Sequence, residues 1–277
     1  MTYTENKFIE LENFEDIRLK QNEKKNIFCN EYYENNFIKY NGKIYYAKFK
    51  NDYAIFNELL GEKISEYFKL QTIKSMLIKL ETKRKHILYG TMSLNFVQEN
   101  ENYSHLDKDL FPFIKIKNDV GLDNLNKLRI FKGKNMIHIM DKKCYIELLC
   151  DFKKLIVRDY ISRQCDRNSK NIMLKYNGNK VELMPVYDYE NSFFLNFYSE
   201  YCNIFNFDYR NKLVKDFVRN DNYFQELMYR AMDIDIFSLI EMIEDEYGVH
   251  LKDEEKIDYS SFISLRKSMI RGFNLIR

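Results

Sequence analysis

Two Asn-Gly dipeptides, at residues 41–42 and 177–178, constrain the fold of this chain more than any other feature of its sequence. Asn and Gly accept the positive φ angles of a type I′ turn, which joins two antiparallel strands. Strand-like residues 37–40 and 43–49 flank the first dipeptide, and residues 172–176 and 180–184 flank the second. The sequence therefore predicts two β-hairpins, one early and one well past the middle of the chain.

The first third of the chain is rich in strand patterns. Residues 72–80 and 86–96 are predicted strands, with a basic, polar turn between them. Residues 53–68 differ, because their apolar pairs recur every four positions and predict a helix.

Helical periodicity of apolar residues dominates the remaining two thirds of the chain. Residues 98–109 are polar and predict a loop, and residues 144–163 predict a long helix. Residues 235–247 carry an apolar stripe that ends at Gly248, a typical helix stop. Residues 259–273 are a further predicted helix.

This layout predicts an α+β fold with two lobes, similar to a protein kinase. A strand-rich N-lobe with one helix would span residues 1–97, and a mainly helical C-lobe with one hairpin would span residues 98–277. A chain of 277 residues is long for one core and suits two lobes. Several other α+β folds have a similar order of elements.

Charge and hydropathy exclude some classes of function. Lys and Arg number 44 and Asp and Glu 42, and a net charge of only +2 argues against direct binding of nucleic acid. No stretch approaches about 18 uninterrupted apolar residues, and the first residues have no apolar signal region, so we expect neither a membrane span nor a signal peptide. The five cysteines form no C-x-x-C pair. These features predict a cytoplasmic protein with reduced thiols.

The segment 159–194 carries the residues that point to chemistry. Asp166 and Asn171 are five positions apart, as in the catalytic loop of protein kinases, and the second hairpin returns the chain to Asp188. Magnesium-dependent phosphoryl transfer needs a carboxylate that takes the proton of the attacking hydroxyl, and oxygen ligands that hold Mg²⁺ against the phosphates. Asp and Asn are common in this chain, and an Asp after a helix is often only a turn residue.

The same segment resembles the C-lobe signature of HipA-like serine/threonine kinases, the toxin-kinase family. That signature is a D-(R/G)-x-x-x-N loop, a hairpin and a P-x-Y-D motif. Residues 166–171 read D-R-N-S-K-N and residues 185–188 read P-V-Y-D. The following E-N-S-F at residues 190–193 is also similar to members of the group. The loop further resembles the D-R-x-x-x-N loop of phosphoinositide-type kinases.

The resemblance extends upstream. Residues 44–49, I-Y-Y-A-K-F, look like the family's strand with the ATP lysine. Residues 57–60, N-E-L-L, look like its N-E-x-x helix start, and residues 89–93 resemble the strand that runs into the hinge. Together these motifs cover about two thirds of the chain in patches.

In the C-lobe, the resemblance implies that Asp166 is the catalytic base and that Asn171 and Asp188 bind Mg²⁺. Lys170 would neutralise charge on the transferring phosphoryl group. Arg167 has an alternative role as part of a structural ion pair.

In the N-lobe, the resemblance implies that Lys48 contacts the α- and β-phosphates of ATP. Lys48 shares a strand face with Ile44 and Tyr46, which would line the adenine pocket. Glu58 would pair with Lys48. An exposed strand lysine and a helix-surface acid are the simpler alternatives.

The chain departs from the family pattern in three ways. Asn168 stands where a histidine is common. Residues 22–40 contain no glycine, so no Gly-rich phosphate loop precedes Lys48. No serine precedes Ser65, which excludes autophosphorylation of a serine in that loop. We also expect a compact form that lacks the family's extra N-terminal subdomain, which helps to contact an antitoxin.

These features lead to one main hypothesis and two alternatives. The main hypothesis is an Mg·ATP-dependent Ser/Thr protein kinase of HipA-like type that phosphorylates a protein substrate, as the toxin of a toxin–antitoxin pair with a small antitoxin protein. The first alternative is a pseudokinase or binding module, which the missing glycines favour. The second is a kinase for a small molecule, because a fold does not fix its substrate.

Overall fold

The computed structural model of the protein describes residues 1–11, 15–16, 36–82, 85–96, 102–105, 129–132, 136–139, 142–164, 167, 171–177, 180–193, 210, 212–273 and 275. The strands in these residues are β1 (Thr2–Tyr3), β2 (Ile9–Glu10), β3 (Glu15–Asp16), β4 (Asn36–Tyr40), β5 (Lys43–Phe49), β6 (Ser75–Glu81), β7 (Ile87–Leu94), β8 (Asn102–His105), β9 (Arg129–Lys132), β10 (Met136–Ile139), β11 (Met173–Asn177), β12 (Lys180–Leu183) and β13 (Val249–His250). The helices are α1 (Asp52–Tyr67), α2 (Lys142–Ser162), α3 (Lys212–Arg219), α4 (Asn222–Met232), α5 (Ile236–Tyr247) and α6 (Asp253–Arg271).

Both predicted hairpins are confirmed. Strands β4 and β5 pair antiparallel around Asn41 and Gly42, whose φ angles are 47° and 76°. These positive angles are the ones that a type I′ turn requires. Strands β11 and β12 pair antiparallel in the second hairpin, with Leu174 opposite Leu183.

A six-stranded sheet forms the N-terminal part, in the order β2-β6-β7-β5-β4-β3. Ala47 on β5 packs on one face of this sheet in an apolar cluster with Ile38, Ile78 and Met92. Successive side chains of a strand point to opposite faces, so Lys48 lies on the other face. There it reaches the side chain of Glu58 on α1.

Helix α1 lies between this sheet and the C-terminal helices. Its N-terminus is capped by Asn51, whose side chain accepts a hydrogen bond from the N–H of Ala54. Every residue from Ile55 to Ser65 is buried, because the helix packs on β6 and β7 on one side and on α2 and α5 on the other. The predicted helix over residues 53–68 is confirmed, and it buries charged residues as well as apolar ones.

The predicted helices of the C-terminal part are also confirmed, as α2, α5 and α6. Helix α5 begins at the cap Asp235, which accepts hydrogen bonds from two backbone N–H groups, and ends at Gly248 with a φ of 64°. Among the described helices, none combines the length and the apolar character that a lipid bilayer span requires.

The prediction of a loop over residues 98–109 is wrong for Asn102–His105, which form strand β8. This strand pairs antiparallel with β11, with Ser104 opposite Leu174. Backbone hydrogen bonds to the second hairpin define the strand. A polar edge strand of this kind carries little hydrophobic alternation that a sequence pattern could detect.

The N-terminal residues connect the sheet to the helices. Strand β1 pairs with β13, which follows α5, and β2 joins the sheet in parallel with β6. At the end of β1, the ring of Tyr3 stacks on that of Tyr89, with ring centroids 5.0 Å apart, and the Tyr3 hydroxyl donates a hydrogen bond of 2.6 Å to Asp52.

The close packing of α1 leads to a stability prediction at Gly61. A Cβ at this position would lie 2.3 Å from Cβ of Tyr189 and 2.6 Å from Nη2 of Arg158. We expect Gly61→Ala to lower the free energy of unfolding by about 1–3 kcal/mol, although alanine favours a helix. Urea denaturation measures this change.

Gly42→Ala is the matched control, since a Cβ there meets no atom within 4 Å and only the positive φ opposes it. Its cost should be about 1 kcal/mol. A Gly61→Ala variant as stable as the wild type would contradict the packing described here.

Candidate active site

Four side chains form the centre of the site, which we call the lysine cluster: Lys48, Glu58, Asp188 and Glu190. Lys48 Nζ lies 2.7 Å from Asp188 Oδ1 and 3.4 Å from both carboxylate oxygens of Glu58. Glu190 Oε2 lies 3.7 Å from the same nitrogen. The structure thus contains the expected contact between Lys48 and Glu58, and it brings both to Asp188.

The cluster keeps Lys48 charged although it is buried. Burial lowers the pKa of Lys48, but the carboxylates of Glu58, Asp188 and Glu190 outweigh this effect, and the pKa is raised above its ordinary value. Charges interact strongly at such distances when little water screens them. The ammonium is therefore a permanent positive charge at this place.

Helix α1 holds the segment 187–193 through two adjacent side chains. Glu58 Oε2 accepts a hydrogen bond of 2.8 Å from the backbone N–H of Tyr189. Asn57 Nδ2 donates to the carbonyl oxygens of Glu190 and Ser192, at 3.2 and 2.8 Å. Glu58 therefore fixes both the lysine and the backbone that carries Asp188.

Asp188 has a left-handed backbone conformation with a φ of 65°. This conformation is uncommon outside glycine and persists only where surrounding contacts enforce it. Here Gln164 Nε2 donates to the carbonyl oxygen of Asp188 at 2.5 Å, while the flanking Tyr187 and Tyr189 are held by hydrogen bonds from Arg167 and to Glu58. These contacts aim the Asp188 carboxylate at Lys48.

Arg167 joins the two backbone segments that carry Asn171 and Asp188. Its guanidinium is fully buried and binds Asp159 on α2 through Nε at 2.9 Å and Nη2 at 3.2 Å. Its Nη1 donates to the carbonyl oxygens of Asn171 and Tyr187, at 3.3 and 3.0 Å. The structural ion pair considered for Arg167 is therefore present.

A second buried arginine lies beside this pair. Arg158 Nη1 donates to Asp159 at 2.9 Å, and its guanidinium lies 4.1 Å above the ring of Tyr189. Burial lowers the pKa of Arg158. Burial also acts on Arg167, but the Asp159 carboxylate, which accepts two hydrogen bonds from it, outweighs this effect and raises the pKa of Arg167. One carboxylate thus serves two buried guanidinium groups.

Comparison with known proteins gives the fold a name. No protein-family model and no curated protein sequence matches this chain. The Helicobacter pylori proinflammatory kinase CtkA is similar in structure, with a TM-score of 0.58, 14% sequence identity and 96% of each chain covered. HipA of Shewanella oneidensis MR-1, solved in a toxin–antitoxin complex with HipB and operator DNA, has a TM-score of 0.50 and 11% identity over 95% of this chain and 72% of that one. This chain has the fold of HipA-like kinases.

Within this HipA-like kinase fold, the predicted site residues have different outcomes. Lys48, Glu58 and Asp188 meet in the lysine cluster, and the backbone of Asn171 is tied to the same Arg167 that holds the Asp188 segment. Asp166 and Lys170 lie outside the described residues. Within the described ranges, no group of three or more His, Cys, Asp and Glu side chains is arranged to hold a metal ion.

Aromatic side chains line the neighbourhood of the cluster. Phe37 and Tyr46 lie opposite each other on β4 and β5, with ring centroids 5.1 Å apart, on the same sheet face as Lys48. The rings of Phe96 and Tyr187 are 5.9 Å apart. Burial, reinforced by the Asp188 charge, raises the pKa of Tyr187 to about 12, so this hydroxyl stays neutral.

Four residues of the site were not predicted from the sequence: Asn57, Asp159, Gln164 and Glu190. Asp159 gave a detectable signal, since it stands beside Arg158 within the apolar stretch of a predicted helix. Charged residues are almost never fully buried unless they are paired, so this position called for a partner. Asn57 and Glu190 stand in the N-E-L-L and E-N-S-F motifs that resemble the family, but neither motif assigned them a role. They and Gln164 act through contacts with residues distant in sequence.

The shared Asp159 leads to a second prediction. We expect Asp159→Asn to lower the free energy of unfolding by about 3–5 kcal/mol, because it removes the carboxylate that binds both buried arginines. Urea denaturation followed by circular dichroism measures this loss.

Glu147→Gln is the control, because it removes a carboxylate from an exposed helical pair with Lys143. Such a pair contributes less than about 1 kcal/mol. If Asp159→Asn were as mild as this control, Asp159 would not be the anchor of the site.

Proposed function

We propose that this protein is an Mg·ATP-dependent phosphotransferase of HipA-like type that transfers phosphate to a serine or threonine hydroxyl of a protein. The observation that carries the proposal is the buried contact of Lys48 with Asp188 and Glu58, in a chain with the fold of HipA-like kinases. Mg²⁺ and the bound nucleotide would supply the phosphoryl group and the charge that stabilises its transfer.

The chemistry of the residues fits such a group. Asp188 and Asn171 offer a carboxylate and an amide oxygen, the ligand types that Mg²⁺ prefers. The carboxylates of Glu58, Asp188 and Glu190 outnumber the ammonium groups of Lys48 and Lys50. In addition, the buried Oε2 of Glu190 has no hydrogen-bond partner in the described residues. Excess negative charge of this kind suits a divalent cation.

Each site residue has a proposed task. Lys48 binds the α- and β-phosphates, and Glu58 orients its ammonium. Asn171 and Asp188 hold the metal, and Asp166 takes the proton of the attacking hydroxyl. Lys170 offsets the charge of the transferring group.

The adenine base is proposed to bind at the aromatic side chains beside the cluster. Tyr46 offers a ring on the Lys48 face of the sheet, and Ile44 lies two positions further along that face. Aromatic faces stack well on nucleotide bases. We propose an N-lobe of residues 1–97 and a C-lobe of residues 98–277, because β7 ends within the N-terminal sheet at Leu94 and β8 pairs with the second hairpin.

The partners are proposed by analogy. The similar HipA was solved with HipB and operator DNA. For this chain we propose a small antitoxin protein as partner, no direct contact with nucleic acid, and a cytoplasmic location. A pseudokinase is the second candidate, because residues 22–40 contain no glycine that could form a phosphate loop. A kinase with the same fold would also suit a small molecule as the acceptor of the phosphoryl group.

Binding of Mg·ATP tests the nucleotide site. At a concentration of Mg·ATP that exceeds Kd by a hundredfold, the free energy of unfolding should rise by about 2.7 kcal/mol. Differential scanning fluorimetry detects the increase in melting temperature. Lys48→Met should lose most of it, and no increase for the wild type at millimolar Mg·ATP would favour the pseudokinase.

Phosphoryl transfer tests the catalytic roles. Purified protein with Mg·ATP should phosphorylate itself or a translation-related protein, as radiolabelled phosphate and phosphoamino-acid analysis would detect. Asp166→Ala and Asp188→Asn should each lower the rate by about 100-fold or more, since one removes the base and the other a metal ligand. The exposed control Asp245→Asn should keep the wild-type rate. Wild-type rates in both site variants would show that the roles are assigned wrongly.

A further inference from the structure

Glu190 lies between two lysines of β5. Its Oε1 is 3.3 Å from Lys50 Nζ, and its Oε2 is 3.7 Å from Lys48 Nζ. The side chain is only 13% exposed, and Oε2 has no hydrogen-bond partner in the part of the chain that the structure describes. A buried carboxylate oxygen without such a partner is costly for the folded state. With Lys48 Nζ 3.7 Å away, this oxygen is placed to accept a hydrogen bond from Lys48 in another state of the site.

The hydrogen-bond donors of Lys48 indicate what that role is. An ammonium group has three N–H donors. In this structure Asp188 takes the shortest contact, at 2.7 Å, and Glu58 takes a longer one, at 3.4 Å. When Asp188 serves as a metal ligand, Lys48 loses its nearest partner. Glu58 is already bonded to Lys48, and Glu190 Oε2, at 3.7 Å, is the carboxylate oxygen that comes after those of Glu58 in distance.

We propose that Glu190 is a positioning residue, which takes over Lys48 from Asp188 when the nucleotide binds. This inference rests on the proposed function. The three donors of Lys48 then meet three acceptors: Glu58, Glu190 and a phosphate oxygen. Lys50 keeps hold of the other carboxylate oxygen, so that Glu190 stays in place and its charge is partly offset.

A second anchor for the lysine suits a chain without a Gly-rich loop. No glycine occurs in residues 22–40, so the phosphates depend more on Lys48. Lysine has a long, flexible side chain that loses conformational freedom on binding. With Glu58 and Glu190 as its partners, the ammonium stays held after Asp188 turns to the metal, which reduces this loss and strengthens nucleotide binding.

Glu190→Gln tests the proposal, with Mg·ADP as the titrated ligand in isothermal calorimetry on the full chain. We expect the affinity for Mg·ADP to fall about tenfold, or about 1.4 kcal/mol. The melting temperature of the nucleotide-free protein should not fall, because the amide lowers the cost of burying an oxygen that accepts no hydrogen bond. A fall in melting temperature with unchanged affinity would make Glu190 merely structural and overturn the proposal.

A double variant shows whether Glu190 acts through Lys48. In a Lys48→Met background, Glu190→Gln should have no further effect on affinity, since coupled residues are not additive. A persistent tenfold loss would place the action of Glu190 elsewhere, for example on the metal, and overturn the proposal. Glu66→Gln is the matched control, because Glu66 also pairs with a buried lysine: both Glu66 and Lys63 lie on α1, with their charged atoms 3.4 Å apart. It should leave the affinity unchanged.

The wild type separates this inference from the proposed function. If wild-type protein fails to bind Mg·ADP, the proposed function falls and the role of Glu190 falls with it. If the wild type binds and Glu190→Gln binds equally well, only the role of Glu190 is wrong.

Discussion

The buried pair of Arg167 and Asp159 is the interaction on which the geometry of the site depends. The two carboxylate oxygens of Asp159 hold the Arg167 guanidinium on α2. The remaining nitrogen, Arg167 Nη1, donates to the backbone carbonyl oxygens of Asn171 and Tyr187. Arginine suits this task because its planar group presents several donors at fixed angles and stays charged. A buried ion pair adds little net stability, since both partners lose their water. Its contribution is to set where two distant segments meet.

The lysine cluster follows from that arrangement. Because the segment 187–193 is fixed by these contacts, Asp188 adopts a left-handed backbone conformation and directs its carboxylate to Lys48 on the sheet. Helix α1 completes the site from the side, because Asn57 and Glu58 bind the same segment. Sheet, central helix and C-terminal region thus each contribute to one charged centre. This convergence supports a nucleotide site in a fold that otherwise says little about substrate.

Local sequence patterns predicted much of the fold but only part of the site. The turn at Asn41 and Gly42, helix α1 and the stop at Gly248 each depend on a few neighbouring residues, and all are present. The sequence did not predict strand β8, because this strand depends on backbone hydrogen bonds to β11 and has no side-chain pattern typical of a strand. Glu190 was missed for a related reason: its oxygens approach Lys48 and Lys50, which lie far away in sequence.

The sequence by itself determined the two hairpins, helices α1, α2, α5 and α6, the face of β5 that carries Lys48, and the motifs that resemble HipA-like kinases. Only the tertiary structure decided which charged groups meet. The contacts of Lys48 with Asp188, of Tyr189 with Glu58 and of Asn57 with Ser192 join residues 140, 131 and 135 positions apart. Turns and periodicities reflect interactions among neighbours in the chain, whereas these contacts form only when the sheet, α1 and the second hairpin have packed together.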